Sequence, residues 1–364
     1  MREFWISLNS INGLGPVRIR RLIEFCGSPK NVLEASPQLL LEKKLILASC
    51  VKEWKIAELL DNSHKQLDFC DKNGISVLIQ TDEYYPPYLK EIFAPPPVLY
   101  VKGDLSALGN HALAIVGTRN PTFYGTNCTR SMTAALSAKA AIVSGLARGI
   151  DTVAHQCCID AGGKTIAVLG CGIDRVYPAE NKNLAERICQ NGALVSEFPP
   201  GTPPDAYNFP RRNRVISGIS CGVLVVEAGE KSGALITANY ALQQNRTIFA
   251  IPGPINSPLS NGTLRLIKDG AVPVSKPEDI FEHIFSVPAV SLFAPVAQTA
   301  GCAPSGLDEE EAAVWDTLSG EPTRIDDIAQ ACGKQIPQLL GILLNLELKG
   351  FITQISGQQF RRTL

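Results

Sequence analysis

The sequence has no excess of charge of either sign. Its 364 residues include 34 Lys and Arg against 35 Asp and Glu, a formal net charge of −1. This excludes a protein that holds nucleic acid through bulk positive charge, so any nucleic-acid site has to be a local basic patch. The charge is unevenly spread. Residues 105–287 carry 16 basic and 13 acidic side chains, whereas residues 288–364 carry 5 and 9.

Long hydrophobic runs and paired metal ligands are also missing. No stretch of about 20 apolar residues is present, and the N-terminus lacks the basic and apolar segments of a signal peptide. None of the 11 cysteines stands in a C-x-x-C pair, so the sequence predicts no metal site. We therefore expect a cytoplasmic protein with reduced thiols, no cofactor and no membrane contact.

The middle of the chain does contain a regular alternation of short apolar runs and helix-like stretches. The runs are apolar throughout, as in strands buried on both faces of a parallel sheet. They are Ala112–Val116, Ala141–Val143, Thr165–Leu169, Ala193–Val195, Gly222–Val226 and Thr247–Ala250. Alternation over about 170 residues predicts an α/β fold with a Rossmann-like, doubly wound and mostly parallel sheet.

Smaller domains are expected on both sides of this sheet. Residues 1–75 are predicted to form a helical domain and residues 76–287 the Rossmann-like domain, with a lead-in over residues 76–110. The uncharged, proline-containing segment 288–306 is predicted to be a linker. Residues 307–364 show three helical patterns and a hairpin, which together predict a winged helix.

The turn Gly13-Leu14-Gly15 precedes a helical pattern over Val17–Cys26. It fits a helix-hairpin-helix turn of the SAM-like type, in which glycines let backbone N–H groups approach a phosphate. It fits equally well a tight turn in a small helical bundle, and the residues leave both interpretations open.

Candidate phosphate-binding loops follow the predicted strands, because ligands bind outside the carboxyl ends of strands in such sheets. Arg119 offers a planar guanidinium, and glycines at helix starts let the backbone approach an anion. The candidates after the first, second and fifth strands are Gly117, Thr118, Arg119, Gly145, Arg148, Gly149, Ser232 and Gly233. The dinucleotide motif G-x-G-x-x-G and the Walker A motif are both absent.

The densest basic cluster follows the fourth strand and begins with an aromatic residue. Its members are Phe209, Arg211, Arg212, Asn213 and Arg214. Arginines for phosphates beside an aromatic ring for a base fit single-stranded nucleic acid, at roughly 1–3 kcal/mol per stacked base. A solvated charged turn is the alternative interpretation, and one of these arginines could instead be structural.

Several other groups are open to an enzymatic interpretation. Glu227 and Glu230 follow the fifth strand and are carboxylates that a hydrolase could use. Asp151 and His155 stand at i and i+4, which fits a metal-binding pair, a general-base pair or a helix-start carboxylate with a satisfied histidine nearby. Cys171 lies between two glycines, but no histidine follows at a recognisable spacing, so a buried thiol is expected.

Taken together, these segments resemble the DNA-processing protein A (DprA, also called Smf) family. The matching blocks stand in the family's order at Val116–Arg119, Ser144–Asp151, Phe209–Arg214, Glu227–Thr237 and Ala250–Gly253. The helical start and the winged-helix end also fit the family's layout.

The resemblance implies a protein that binds single-stranded DNA taken up in natural transformation. It implies that the protein protects this strand and loads the RecA recombinase on it, as a homodimer through the Rossmann-like domain and with no catalytic step. Carried over by position, the loop 117–119 cradles a phosphate, Phe209 stacks a base, and the three arginines of 211–214 neutralise the strand. Some relatives carry a lysine just before this block, and residues 205–208 hold none.

Two other functions stay open on the residues. A nucleotide-binding or nucleotide-hydrolysing enzyme of a related Rossmann-like family is the first, although residues 227–233 lack the Pro-Gly-Gly that such relatives carry. The second is a winged-helix DNA-binding regulator. The acidic balance of residues 288–364 argues against it, because recognition helices need basic side chains facing phosphates.

Overall fold

The computed structural model describes residues 1–109, 111–284, 307–318, 323–349, 351–355 and 359–362. The chain divides into two units, Met1–Ala289 and Val290–Leu364. The predicted linker 288–306 lies outside the described residues. No helix among the described residues is long and apolar enough to cross a membrane.

Six helices form the N-terminal part of the first unit. They are α1 (Arg2–Ser10), α2 (Pro16–Cys26), α3 (Pro29–Glu34), α4 (Pro37–Glu42), α5 (Ala48–Glu53) and α6 (Ile56–Lys72). Proline opens α2, α3 and α4, where its missing N–H breaks no helical hydrogen bond. The helix predicted over Val17–Cys26 is confirmed, and Gly13 in the preceding turn has φ +90°.

Nine strands form one sheet in the first unit. They are β1 (Ile75–Ile79), β2 (Val98–Gly103), β3 (Ala112–Val116), β4 (Ala141–Ser144), β5 (Thr165–Val168), β6 (Gly192–Ser196), β7 (Gly222–Val225), β8 (Thr247–Ala250) and β9 (Val272–Pro273). The order across the sheet is β1-β2-β6-β5-β4-β3-β7-β8-β9. Neighbours from β6 to β9 are parallel, whereas β1–β2 and β2–β6 are antiparallel. The predicted doubly wound, mostly parallel sheet is confirmed.

Helices cover both faces of this sheet. They are α7 (Pro87–Lys90), α8 (Phe123–Leu136), α9 (Ile150–Asp160), α10 (Lys182–Asn191), α11 (Asn208–Ile219), α12 (Gly233–Gln243), α13 (Asn261–Lys268) and α14 (Pro277–Ile284). Short 3₁₀ helices lie at Leu105–Gly109, Ala179–Asn181 and Pro258–Ser260. The N-terminal helices share a buried apolar cluster with β1, β2, β5 and β6, so helices and sheet pack as one unit.

The strand order places a topological switch point between β3 and β7. The chain first winds outward from β3 through β4 and β5 to β6, and then returns to lay β7 on the other side of β3. Helices on opposite faces diverge at such a point and leave a crevice at the carboxyl ends of the two strands. The loops after β3 and β7 are therefore the expected walls of a binding cavity.

The second unit is a winged helix, as predicted. It consists of α15 (Glu309–Thr317), β10 (Thr323–Arg324), α16 (Ile325–Cys332), α17 (Ile336–Leu348), β11 (Ile352–Ile355) and β12 (Gln359–Arg362). Asp308 caps α15 in a capping box with Glu311, as the acidic start of this helix indicated. Its core includes Trp315, Leu343 and Phe360. The predicted hairpin gains a third, two-residue strand, and its residues 350 and 356–358 lie outside the described residues.

Candidate nucleic-acid interface

A cavity of about 850 Å³ opens at the carboxyl ends of β3 and β7, at the switch point. Eight of the thirteen candidate residues line it, namely Gly117, Thr118, Arg119, Phe209, Arg212, Asn213, Ser232 and Gly233. A second cavity of about 140 Å³ shares Arg119, Phe209 and Arg212 with the first and adds Gly145 and Arg148. Folding thus brings ten of these residues to one place, although four different strand ends supply them.

The loop after β3 forms the first wall. Gly117 has to be glycine, because a Cβ atom there would lie 2.6 Å from Cγ1 of Ile150. The Thr118 N–H donates to the Glu227 carbonyl at 2.8 Å, which ties the loop to the end of β7. Arg119 is exposed, and its side chain has no hydrogen-bond partner among the described residues. Its guanidinium is therefore free to bind an anion.

Glu227 holds the start of α8 in place. Its buried carboxylate accepts from the Thr122 N–H at 2.9 Å and from the Thr122 hydroxyl at 2.5 Å. Thr122 in turn caps α8 by accepting from the Gly125 N–H at 3.1 Å. A Cβ atom at Gly125 would collide with this carboxylate. Glu227 is thus occupied in fixing the loop that carries Arg119.

Buried side chains hold the loop after β4. The Asp151 carboxylate accepts from the N–H groups of Gly145 and Ala147 at 3.1 and 3.2 Å. The Arg212 guanidinium donates to the Gly145 carbonyl and to the Val168 carbonyl, both at 2.5 Å. The backbone of this loop is therefore held in two ways. Asp151 accepts hydrogen bonds from its N–H groups, and Arg212 donates to one of its carbonyl groups.

The loop after β4 needs these hydrogen bonds because of Leu146, which lies between Gly145 and Ala147. Leu146 has φ +56°, a backbone conformation that is costly for a non-glycine residue. The Asn181 side chain donates to the Leu146 carbonyl at 2.9 Å, and the Thr152 hydroxyl to the Ala147 carbonyl at 2.7 Å. Gly149 has φ +75°, and a Cβ atom there would lie 2.6 Å from the carbonyl carbon of Arg119. The loop after β4 thus packs directly beneath the loop after β3.

Arg212 is buried, with 5% of its surface exposed. Burial lowers the pKa of its guanidinium to about 10, and the Asp151 carboxylate opposes this shift. Burial likewise raises the pKa of Asp151, against the effect of Arg212. Arg212 therefore remains charged at neutral pH, with its guanidinium engaged by the protein's own carbonyl oxygens.

Two aromatic side chains, from Tyr177 and Phe209, form the second wall. The Phe209 ring packs against Gly170, where a Cβ atom would lie 2.7 Å from its Cδ1. The Tyr177 ring lies 5.4 Å from it, at an interplanar angle of 42°. Phe209 is half-buried and lines both cavities. The ring is thus fixed in position while part of it remains open to a ligand.

The start of α12 forms the third wall. Ser232 caps this helix by accepting from the Ala234 N–H at 3.3 Å, and the Asn213 amide donates to the Gly233 carbonyl at 3.3 Å. Nothing lies within 4 Å of a Cβ atom placed on Gly233. Helix starts favour anions, and the exposed Lys231 adds a positive charge beside this one.

Two predicted arginines lie outside both cavities. Arg211 is exposed, and its guanidinium lies 5.2 Å from the centre of the Phe198 ring. Arg214 is largely buried, where it donates to the Ala94 carbonyl and pairs with the buried Glu197 carboxylate. Arg214 thus joins α11 to the segment before β2 and to the end of β6.

Arg148 reaches the smaller cavity but is paired with an acidic residue. Its Nε and Nη2 atoms donate to the Glu180 carboxylate at 2.7 and 2.9 Å, and both side chains are exposed. The Glu180 carboxylate therefore occupies the position at which an incoming phosphate would meet this arginine.

The sequence did not predict two cavity residues with aromatic or charged side chains, Tyr177 and Lys231. Lys231 stands directly before the predicted pair Ser232-Gly233, and its place at a helix start was the available signal. Tyr177 lies in the segment after β5, and only its contact with Phe209 shows its place in the site. The sequence carries no comparable signal for Tyr177.

The fold and this cavity define a doubly wound α/β protein with a helical N-terminal part, a winged-helix unit and an arginine- and lysine-bearing crevice at the switch point. Residues 76–285 match the family described as DNA recombination-mediator protein A, and residues 298–358 match the DprA winged helix domain. The chain belongs to the DNA-processing protein A (DprA/Smf) family.

Similar proteins occur in several bacteria. Protein Smf of Escherichia coli (strain K12) is 44% identical over 294 residues, which cover 78% of this chain and 77% of that protein. Protein Smf of Synechocystis sp. (strain ATCC 27184 / PCC 6803 / Kazusa) is 33% identical over 392 aligned positions, which cover 99% and 98%. DNA processing protein DprA of Bacillus subtilis (strain 168) is 45% identical over 215 residues, which cover 58% and 72%.

Two solved structures share the fold at similar identity. DNA processing protein A from Streptococcus pneumoniae superposes with a TM-score of 0.66 and 33% identity, over 78% of this chain and 98% of that one. The protein from Helicobacter pylori superposes with a TM-score of 0.53 and 31% identity, over 58% and 96%. The latter structure is reported for its single-stranded DNA binding mode.

Proposed function

We propose that this protein binds single-stranded DNA in the switch-point cavity. The observation that carries the proposal is the pairing of the unpartnered, exposed Arg119 with the half-buried Phe209 across one cavity. A positive groove along the backbone with an aromatic ring for a base is the arrangement that binds single strands, whereas a base in a duplex is stacked between its neighbours and offers no free face.

The contacts divide the candidate residues into two groups. Arg119 and Lys231 are exposed and would neutralise phosphates, and the Gly233 N–H at the start of α12 would donate to a phosphate oxygen. Phe209 would stack a base. Arg212 would act on the strand indirectly, by holding the loop after β4, because its own guanidinium is buried.

Membership in the family extends this proposal to a cellular role. The strand would be DNA taken up in natural transformation, which the protein protects in the cytoplasm and passes to RecA, acting as a homodimer through the Rossmann-like domain. On α12 of that domain, Leu242 is 65% exposed and Ile236 is 40% exposed. Exposed apolar side chains of this kind are available for a contact between subunits.

The winged-helix unit is proposed to contact protein rather than DNA. On α17, which occupies the position of a recognition helix, Ile336, Leu340 and Leu344 are 40%, 46% and 57% exposed. These side chains repeat every four residues and therefore share one face of the helix. A face of this composition offers no donor to a phosphate, but it can pack against an apolar surface such as one on RecA.

The competing enzymatic function would need a free carboxylate in the cavity. Glu227 accepts two hydrogen bonds from Thr122 and fixes the start of α8, and Glu230 does not line the cavity. We therefore propose a binding function without a catalytic step, in which Glu227 is a positioning residue.

Fluorescence anisotropy with labelled oligonucleotides tests the proposal. We expect the full chain to bind a single strand of about 20 nucleotides more tightly than the matching duplex. This length exceeds the roughly 4–16 nucleotides that one OB fold covers in other single-strand binding proteins. Mononucleotides should compete poorly, because they lack neighbouring phosphates. Equal affinity for both forms would refute the site, and nucleotide turnover that disappears in Glu227→Gln would establish the enzyme instead.

A further inference from the structure

The sheet has an open edge at β1, far in the strand order from the switch point. Strand β1 pairs with β2 on one side, from Ile75 opposite Lys102 to Ile79 opposite Val98. On its other side it has no neighbouring strand within the described part of the chain. Proteins normally cover or disrupt such an edge, because its free backbone groups accept another strand.

The hydrogen bonds of Ile79 show which backbone groups face outward. Its N–H donates to the Asp82 carboxylate at 2.9 Å, and its carbonyl accepts from the Asp82 N–H at 2.9 Å. Both groups of Ile79 therefore point away from β2. Because the direction alternates along an antiparallel strand, Val77 and Ile75 also turn their N–H and carbonyl groups outward.

Asp82 occupies the end of the edge. Ile75 and Val77 pack their side chains into the apolar core and are 4% and 7% exposed, so what they offer at the edge is backbone. The outward groups of Val77 and Ile75 have no hydrogen-bond partner among residues 1–109 and the other described ranges. These four groups, two donors and two acceptors, are spaced to pair with an extended peptide.

A groove of about 620 Å³ runs along this edge. Its lining includes residues 75–78 of β1 and the apolar residues Leu67 and Leu105. Four carboxylates also line it, from Glu3, Asp71, Asp82 and Glu83.

The groove is therefore acidic. Two positive groups among its described lining residues are both paired, Arg2 with Asp82 at 3.2 Å and the Met1 α-ammonium with Glu3 at 2.7 Å. Asp71 and Glu83 are exposed and form no ion pair with any described residue. Two carboxylates are thus left to attract a positively charged ligand.

We propose that β1 is a docking edge for an extended, basic segment of a partner protein, which adds to the sheet as a further strand beside Ile75–Val77. Backbone hydrogen bonds to β1 would supply the binding, and lysine or arginine side chains on the acidic rim would select the partner. A second copy of this chain fits poorly, because edge-to-edge pairing would bring two acidic rims together. This inference does not depend on the proposed DNA site.

A defined peptide tests the edge directly. The probe is a fluorescein-labelled peptide of alternating lysine and valine, and its control has glutamate in place of lysine. We expect saturable binding of the lysine peptide and at least tenfold weaker binding of the glutamate peptide. Two further peptides carry N-methyl groups on the lysine amides or on the valine amides, which removes the donors on one edge at a time. At least one of them should bind tenfold more weakly, because its donors would face β1.

Two variants of the full chain locate the peptide on β1. Val77→Pro removes one outward N–H and keeps the bonds to β2, and proline is tolerated on an edge in this position. It should weaken peptide binding at least tenfold, whereas the β-branched control Val77→Thr should not. The double variant Asp71→Asn, Glu83→Gln should weaken the lysine peptide and not the glutamate peptide. An unchanged far-ultraviolet circular dichroism spectrum and cooperative urea unfolding would show that these variants are folded.

Several results would overturn this inference. Equal binding of the lysine and glutamate peptides would remove the charge argument, and full binding of both N-methylated peptides would exclude strand addition. Sedimentation of the chain without peptide is the third measurement. If the wild type self-associates and Val77→Pro does not, the edge belongs to a second copy. If Val77→Pro does not fold, the N-methylated peptides decide the question alone.

Discussion

Arg211 and Arg212 are neighbours in the sequence, and their guanidinium groups serve opposite purposes. Arg212 turns inward from α11 and donates to the carbonyl oxygens of Gly145 and Val168 at 2.5 Å. Arg211 stays exposed, with its guanidinium 5.2 Å from the centre of the Phe198 ring. Successive helical residues are about 100° apart, so one of them can face the sheet while the other faces solvent.

This difference predicts unequal effects on stability. Arg212→Ala should lower the free energy of unfolding by about 3–5 kcal/mol, because it leaves two buried carbonyl groups without a donor and removes the positive charge that offsets the buried Asp151 carboxylate. Arg211→Ala should leave it nearly unchanged, because this side chain is exposed. Urea unfolding followed by circular dichroism measures both, and equal losses would contradict the buried role of Arg212.

Arg119→Ala should weaken single-stranded DNA binding through the loss of one phosphate contact. The slope of log K against log salt concentration should become shallower by about 0.7, the value for one contact to a single strand. Arg130→Ala is the matched control, because Arg130 is exposed and lines a different cleft, between α8 and α9. A salt slope that responds equally to both changes would place the strand elsewhere.

Phe209→Leu should weaken single-stranded DNA binding without changing the slope of log K against log salt concentration. Leucine keeps an apolar side chain against Gly170 but lacks the ring that stacks a base, a loss of roughly 1–3 kcal/mol per base. Anisotropy titrations at several salt concentrations separate the two effects. Unaltered affinity in this variant would mean that no base stacks on Phe209.

Glu180→Gln should strengthen DNA binding. The Glu180 carboxylate accepts two hydrogen bonds from Arg148, and this contact lowers the pKa of Glu180, so the carboxylate is ionised at neutral pH. Replacing the Glu180 carboxylate by a neutral amide frees Arg148 to bind a phosphate and removes a negative charge beside this arginine. We expect a higher affinity together with a steeper salt slope, and a weaker affinity would show that Glu180 supports the site.

His155 should make the protein less stable in acid. Burial lowers the pKa of His155 to about 3, while in the unfolded chain its pKa is near the ordinary value of about 6.5. Between these pH values the unfolded chain binds the extra proton, so stability is complete above about pH 6.5 and falls by up to about 1.4 kcal/mol per pH unit below it. His155→Gln, which retains a polar partner for Thr165, should flatten the dependence of the urea midpoint on pH. Parallel pH profiles for the two proteins would contradict this assignment.

The sequence determined the sheet and the place of the site within it. Runs such as Ala112–Val116 are apolar at every position, as is typical of strands with helices on both faces of the sheet. Once the strands are parallel, their carboxyl ends meet at one edge, and loops as distant in sequence as 117–119 and 231–233 are brought to the same crevice.

The role of each arginine was not accessible in the same way. Arg119, Arg211, Arg212 and Arg214 are chemically identical, and what distinguishes them is which carbonyl or carboxylate lies within reach after folding. The partners of Arg212 are 44 and 67 residues away, and those of Arg214 are 17 and 120 residues away. Local patterns carry no information about contacts at such separations.

The open edge at β1 is a second feature that local sequence patterns do not predict. Ile75–Ile79 is a short apolar run, and its residues alone do not show whether it lies inside a sheet or at its border. The strand order places β1 at the border of the sheet, and the hydrogen bond between Asp82 and Ile79 shows that Val77 faces outward. The acidic groove beside β1 likewise appears only in the folded chain. Residue type determined which segments are buried, and only the tertiary arrangement decided which polar groups remain free to bind a partner, because pairing depends on distance and direction.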